Sequence, residues 1–341
     1  MCADDGRARR AVASEVQPSR RKRVGACAFR ASVSALVALA ALASPVGSGV
    51  AHAQACCAAT GVVLPARLRI YEDFGLGVQA RESQAYGSFA SDGSFAGTSS
   101  GDLVTQQNLF ALWRAVPRLQ LGLLLPYVET WRRIPSRPGA PGRSEWGGFL
   151  GDVAVSARVE VLRPGDVGRF PAITLLGGLA LPTGRAPDEA RNPLGTDASG
   201  TGSYEGTVGV EVEQTWTRWF ASVDFWIAKR SARDAPGGQQ SFDLRVTALA
   251  AVGYAFANQV GVAAFANVIR GGGAAATTAG GAGADLDTRV AVASAGFAGL
   301  VPIDEAWRLQ GTLALDLPFS SWGRNQPATV GLGTSLVRVW Q

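Results

Sequence analysis

Between Tyr204 and Trp216 the chain alternates with a period of two. Tyr204, Gly206, Val208, Val210, Val212, Gln214 and Trp216 fall on one side; Glu205, Thr207, Gly209, Glu211, Glu213 and Thr215 fall on the other. Successive side chains of a strand point to opposite faces, so this stretch reads as a strand with an apolar solvent on one side and water on the other. An aromatic residue closes the apolar face at each end. A helix cannot carry this pattern, and an isolated strand cannot satisfy its own backbone, so the stretch needs neighbours of its own kind.

Those neighbours are present. Twelve alternating segments are predicted: 67–81, 103–116, 119–132, 152–161, 172–181, 203–216, 219–228, 242–254, 259–270, 288–300, 307–319 and 328–341. In the first, Leu68, Ile70, Phe74, Leu76 and Val78 share a face opposite Arg67, Arg69, Tyr71, Asp73, Gln79 and Arg81. Glu72 falls on the apolar face, which predicts either a bulge or a position at the rim. The connections at 82–101, 134–147, 182–202, 229–241, 271–286 and 320–327 are long and polar. The others, near 117, 165, 217, 257 and 303, are mostly short. Long and short alternate, as expected for an up-and-down barrel with one rim on each side of a membrane.

Tryptophan placement follows the same geometry. Trp113, Trp216, Trp219, Trp307 and Trp340 lie towards short-turn ends, and Trp131, Trp146, Trp226 and Trp322 towards long-loop ends. Indole prefers the headgroup level, so these nine are predicted to form two aromatic girdles. The expected fold is therefore all-β: a transmembrane antiparallel β-barrel of about 12 strands, within a range of 10–14, over residues 67–341.

Composition bears on the partners. The formal net charge is +5. Residues 1–53 account for all of it, with eight basic side chains against three acidic ones, leaving 24 of each sign beyond. A nucleic-acid partner needs a basic face, so none is expected. The excess fits an export signal: Arg20–Arg23 is a basic region, Ala31–Ala43 an apolar run too short to span a bilayer, and Ala51-His52-Ala53 a small-x-small cleavage pattern. Residues 54–66 are expected as a periplasmic leader carrying Cys56 and Cys57, too few thiols for a metal cage. The expected location is the outer membrane, with its lipid, the barrel-assembly machinery and a small-molecule solute as partners.

Catalysis is not expected. Cleavage removes His52, the one histidine, and with it any serine–histidine chemistry. Glu205, Glu211 and Glu213 share a face, and strand residues two apart stand roughly 7 Å from each other, which is compatible with paired acid–base work. The plainer reading is a hydrated lumen wall whose acids pair with Arg158, Arg245, Arg289 and Arg308. The full set of lumen-facing charge candidates is Arg69, Asp73, Asp152, Arg158, Glu160, Glu205, Glu211, Glu213, Asp224, Asp243, Arg245, Arg289, Arg308 and Asp316. No metal or cofactor is expected. A passage blocked by the leader or by an inward-folded long loop fits the pattern as well as a narrow open one.

Three short motifs carry a family resemblance. Gly148-Phe149-Leu150-Gly151-Asp152-Val153, Ala180-Leu181-Pro182-Thr183-Gly184 and Gly200-Thr201-Gly202-Ser203-Tyr204 resemble, in order and spacing, the outer-membrane proteins grouped under the meta-pathway of phenol degradation. Phe149-Leu150 departs slightly from that family's Gly-x-Gly-Asp opening. The resemblance implies a barrel and passage of apolar or aromatic compounds. The function expected is therefore a channel or porin-like transporter for small molecules, with a non-transporting scaffold or surface-recognition barrel as the alternative.

Overall fold

A computed structural model describes residues 66–98, 101–136, 141–163, 166, 170–236, 238–277, 283–286 and 289–341. The expected signal, residues 54–65 of the leader, and the cysteine pair lie outside the described residues. Twelve strands form one closed antiparallel sheet: β1 (Phe74–Phe89), β2 (Gly101–Val116), β3 (Leu119–Ile134), β4 (Ala154–Leu162), β5 (Ala172–Ala180), β6 (Glu205–Trp216), β7 (Trp219–Arg230), β8 (Arg245–Ala255), β9 (Gly261–Gly271), β10 (Val290–Pro302), β11 (Trp307–Asp316) and β12 (Gln326–Trp340). Each pairs with its sequence neighbour. The ring closes where β12 pairs with β1, from Phe74 opposite Trp340 to Phe89 opposite Gln326. Closure leaves no open edge, the condition a sheet must meet to sit in lipid.

Burial alternates along the strands and separates two faces. In β1, Phe74, Leu76 and Val78 are exposed while Gly75, Gly77 and Gln79 are buried. The same holds for Val208 at 65%, Val223 at 56% and Phe297 at 67% exposure. These large apolar side chains form the outer surface, too extensive for a wall facing water. The inner face carries polar and small residues, plus a set of phenylalanines. Phe220 and Phe265 lie across Gly253 and Gly296, where an added Cβ would come within 2.1 Å and 2.5 Å of the rings. Part of the glycine content is thereby explained: ring and bare backbone fill the narrow interior together.

Several expected boundaries move. The first strand begins at Phe74, not Arg67. Residues 66–73 form no strand and turn inwards, through a bond from the Glu72 amide to the Arg69 carbonyl. Much of the expected loop 82–101 is strand, since β1 runs to Phe89 and a short strand, Phe95–Gly97, folds back on it. The fourth segment begins earlier than Asp152. A strand at Arg143–Leu150 pairs with the upper part of β3, and β4 continues along the lower part after one extra residue has been taken up at 151–153. At the long-loop end, Arg233–Ala235, Gly238–Phe242, Ala274–Thr277 and Gly283–Leu286 form a separate four-stranded sheet.

Candidate functional site: the two ends of the barrel interior

At the short-turn end, residues 66–73 enter the barrel as a strap. Leu68, 1% exposed, packs among Phe110, Leu112, Val337 and Val339. Its amide donates to Gln120 Oε1 at 2.9 Å. Arg114 binds the strap by its backbone: Nε donates to the Glu72 carbonyl at 3.0 Å, and Nη2 to the carbonyls of Leu68 and Arg69 at 3.1 and 2.7 Å. A guanidinium suits this role because its fixed fork can serve several acceptors at once.

Three carboxylates receive the strap's first arginine. Arg67 reaches Glu213 at 2.7 Å, Glu211 at 3.5 Å and Glu160 at 3.6 Å. Glu211 is also paired with Arg158 at 2.6 Å, and Glu160 with Arg163 at 2.7 Å. Glu72, 1% exposed, pairs with Arg308 and with Arg69. Its place on the apolar side of the sequence pattern is thus explained: the chain has left the barrel wall, and Glu72 points into the interior. Buried charges of this kind persist only when paired, because the desolvation cost of a lone one is several kcal/mol.

At the long-loop end the three sequence motifs form one clasp. Asp152 accepts from the amide of Gly184 at 2.9 Å and, through its other oxygen, from the amide and hydroxyl of Thr201 at 2.7 and 3.0 Å. Thr183 donates to the Gly151 carbonyl at 2.8 Å and accepts from the Val153 amide at 2.9 Å. Gly184 and Gly200 touch backbone to backbone, where an added Cβ on either would lie 2.7 Å from the other's Cα. Gly202 has φ of +68°, a conformation that glycine adopts without strain. Residues widely separated in the chain therefore close the base of the loop 181–204.

That loop turns back along the inner side of Arg143–Leu150. The Leu194 amide donates to Glu145 Oε2 at 2.7 Å, Arg132 donates to the Leu194 carbonyl at 2.6 Å, and the Arg185 guanidinium lies 4.3 Å from the Phe149 ring centroid. Asp197 organises the loop. Burial would raise its pKa, but the amides of Arg191 and Asn192 at 3.0 Å each, with the Arg185 guanidinium, more than offset this and hold it down at about 2.

The charge candidates divide accordingly. Arg69, Arg158, Glu160, Glu211, Glu213, Asp224 and Arg308 gather at the short-turn end. Glu205 stands apart from Glu211 and Glu213 and pairs with Arg230 at 2.8 Å and Arg245 at 2.5 Å, so the three glutamates make two sites. Asp316 accepts from Ser294 and from the amide and hydroxyl of Thr329. Asp152 serves the clasp. Asp73, Asp243 and Arg289 are exposed; the Asp73 amide donates to the Trp340 carbonyl, and Asn325 donates to the Arg289 carbonyl at 3.0 Å. Sequence reasoning missed Glu72, Arg114 and Arg67 as members of the inner network.

Among the tryptophans, Trp113, Trp216, Trp219 and Trp340 are exposed at the short-turn end, and Trp307 is partly so. Trp131, Trp146 and Trp322 are exposed towards the long loops. Trp226 differs. It is 6% exposed and packs with Phe220 and Leu249 inside the barrel. Its position near a strand end fits a girdle, but its parity with Phe220, Ser222 and Asp224 points it inwards.

The fold has counterparts among solved structures. An outer membrane channel from Pseudomonas putida F1 superposes with a TM-score of 0.64 at 17% identity, over 80% of this chain and 97% of that one. The transport unit of the Escherichia coli autotransporter AIDA-I aligns at 0.47 and 9% identity over 83% and 95%, and the P. putida toluene transporter TodX at 0.39 and 10% over 87% and 95%. No protein-family model matches the chain and no curated protein matches its sequence. The structural likeness defines the class: an outer-membrane-type β-barrel of twelve strands.

Proposed function

We propose that this protein is an outer-membrane channel for small molecules, apolar or aromatic ones included, with its short turns on the periplasmic side and its long loops outside. The observation that carries this reading is that the chain's own segments occupy both ends of the interior, held largely by ion pairs and hydrogen bonds. A segment inserted through ion pairs and carbonyl bonds is a reversible closure. The outward apolar side chains meet membrane lipid, the exposed tryptophans sit at the two headgroup levels, and the barrel-assembly machinery is the expected partner in insertion. Reconstitution tests the proposal. Purified, heat-modifiable protein in planar bilayers or liposomes is expected to pass current or small solutes, and its absence from both assays sinks the channel reading.

One observation favours a second reading, a non-transporting scaffold that works through its long loops. Phe220, Leu249, Phe265 and Leu300 pack as an apolar cluster within the interior. Flux that stays at zero after the strap has been released would support it.

A further inference from the structure

The inner wall formed by β9 to β12 and β1 lines an open-sided cavity of about 190 Å³. Phe265, Ile269, Val292 and Ala314 give it an apolar side; Arg81, Asn267, Ser294 and Asp316 give it a polar one. Its size suits a single-ring molecule, given that an apolar cavity of about 150 Å³ takes up benzene.

Arg81 distinguishes this cavity from the rest of the interior. Arg67, Arg158, Arg245 and Arg308 each have a carboxylate partner. Arg81 has no ion pair or hydrogen bond to any described residue. The nearby Asp316 is already committed, with Ser294 on one oxygen and Thr329 on the other. Asn267, 8% exposed, has its Oδ1 buried without a hydrogen-bond partner among the described residues. The wall therefore offers an uncommitted cation, an uncommitted acceptor and an aromatic surface around one cavity. Arg81 is half-buried; the Asn267 Oδ1, buried and unpaired, costs stability unless something satisfies it.

We infer that this cavity is a subsite for small single-ring carboxylates: the ring lies against Phe265 and Val292, the carboxylate pairs with Arg81, and Asn267 Oδ1 accepts from a donor on the ring where there is one. The inference rests on the channel reading for its purpose, but the binding itself does not. It departs from passage of neutral hydrocarbons, since a purely apolar solute offers Arg81 no counter-charge.

Benzoate and its uncharged analogue benzyl alcohol are the probes, titrated calorimetrically into the full-length protein in detergent. Benzoate is expected to bind at least tenfold more tightly than benzyl alcohol. Arg81→Gln is expected to remove that preference, and Arg81→Lys to restore part of it, with heat-modifiable migration showing that each variant is folded. No benzoate binding, equal affinity for the two probes, or a preference that survives Arg81→Gln each overturns the inference. Planar-bilayer current and liposome flux of small solutes, measured on the same preparations, separate the two claims: absence of both defeats the channel reading, while the binding result decides the subsite.

Discussion

The two ends of this barrel are closed by different physics. At the short-turn end the closure is a strap whose side chains are traded into a buried charge network: Arg67 to three glutamates, Glu72 to Arg308, and Leu68 into an apolar cluster. At the long-loop end the closure is a loop whose base is tied to the start of β4 through the Asp152 carboxylate and the Thr183 hydroxyl. The first depends on charge complementarity and is vulnerable to a sign reversal. The second depends on backbone geometry and is vulnerable to loss of one acceptor or addition of one methyl group. If the ends act as separate gates, changes at one should leave the other unaltered.

Reversing the charge of the strap should have the largest effect. Arg67→Glu sets a fourth carboxylate among Glu160, Glu211 and Glu213. Breaking a buried pair costs about 3 kcal/mol or more, enough to expel the strap while β1 and β12 still close the barrel. Single-channel conductance several-fold above that of the unaltered protein is expected, with no gain in protease cutting of loop 181–204. Conductance that stays at its starting value would mean that the strap does not limit the passage.

Asp152→Ala attacks the other end. It leaves the amides of Gly184 and Thr201 without their acceptor, and hydrogen bonds to a charged group contribute about 1.5–3 kcal/mol each before water replaces them. A net local loss of roughly 2 kcal/mol is expected, seen as faster amide exchange and proteolysis across 183–202, with the strap unaffected. Coupled loosening of Leu68 would break the separation drawn between the two ends.

The same loop should also respond to acid. Asp197 is hydrogen-bonded as the carboxylate, with its folded pKa at about 2 against an ordinary value of about 3.9. A depressed carboxylate pKa stabilises the fold above the unfolded value and ceases to do so as pH falls through the folded one. Protection of the Arg191 and Asn192 amides, corrected for intrinsic exchange, is expected to hold at pH 5 and to fall between about pH 4 and pH 2. Asp197→Asn should weaken it at neutral pH and flatten the dependence. A transition centred near pH 6 would point to some other group.

Much of this architecture is legible in the sequence, because a wall between lipid and water prints a period of two on every strand. Val208, Val210 and Val212 against Glu211 and Glu213 could hardly be read otherwise. What failed had the same period for a different reason. Leu68 and Ile70 alternate with Arg67 and Arg69, but a short alternating run cannot distinguish a strand in the wall from a strap inside it; only Glu72, on the wrong face, betrayed the departure. Trp226 reads as a girdle residue by its distance along the strand, whereas the parity it shares with Asp224 turns it inwards. Asp152 reads as a lumen charge by alternation, whereas the extra residue at 151–153 breaks the register and gives it to the clasp. Three motifs separable in sequence were joined only by the fold, since no local pattern records that Gly184 meets Gly200.

Asp224 offers the finest distinction between a network member and a bystander. It is fully buried on β7, directly opposite Glu211 on β6. Glu211 has Arg158 and Arg67 as partners, whereas neither oxygen of Asp224 has a hydrogen bond among the described residues. A fully buried carboxyl that faces another carboxylate and has no cation of its own is disfavoured as an anion, so Asp224 stands beside the network that Glu211 holds together rather than in it. Asp224→Asn keeps the shape and adds no unpaired charge; its thermal midpoint in detergent should be unchanged or higher, by the equivalent of roughly 0–1 kcal/mol. Glu211→Gln leaves Arg158 and Arg67 short of a partner and should lower the midpoint by the equivalent of about 3 kcal/mol. Equal losses in the two variants would mean that Asp224 also pairs, through bridging water, with the unbonded Nη1 of Arg158; the strap end would then be held from β7 as well as from β4 and β6.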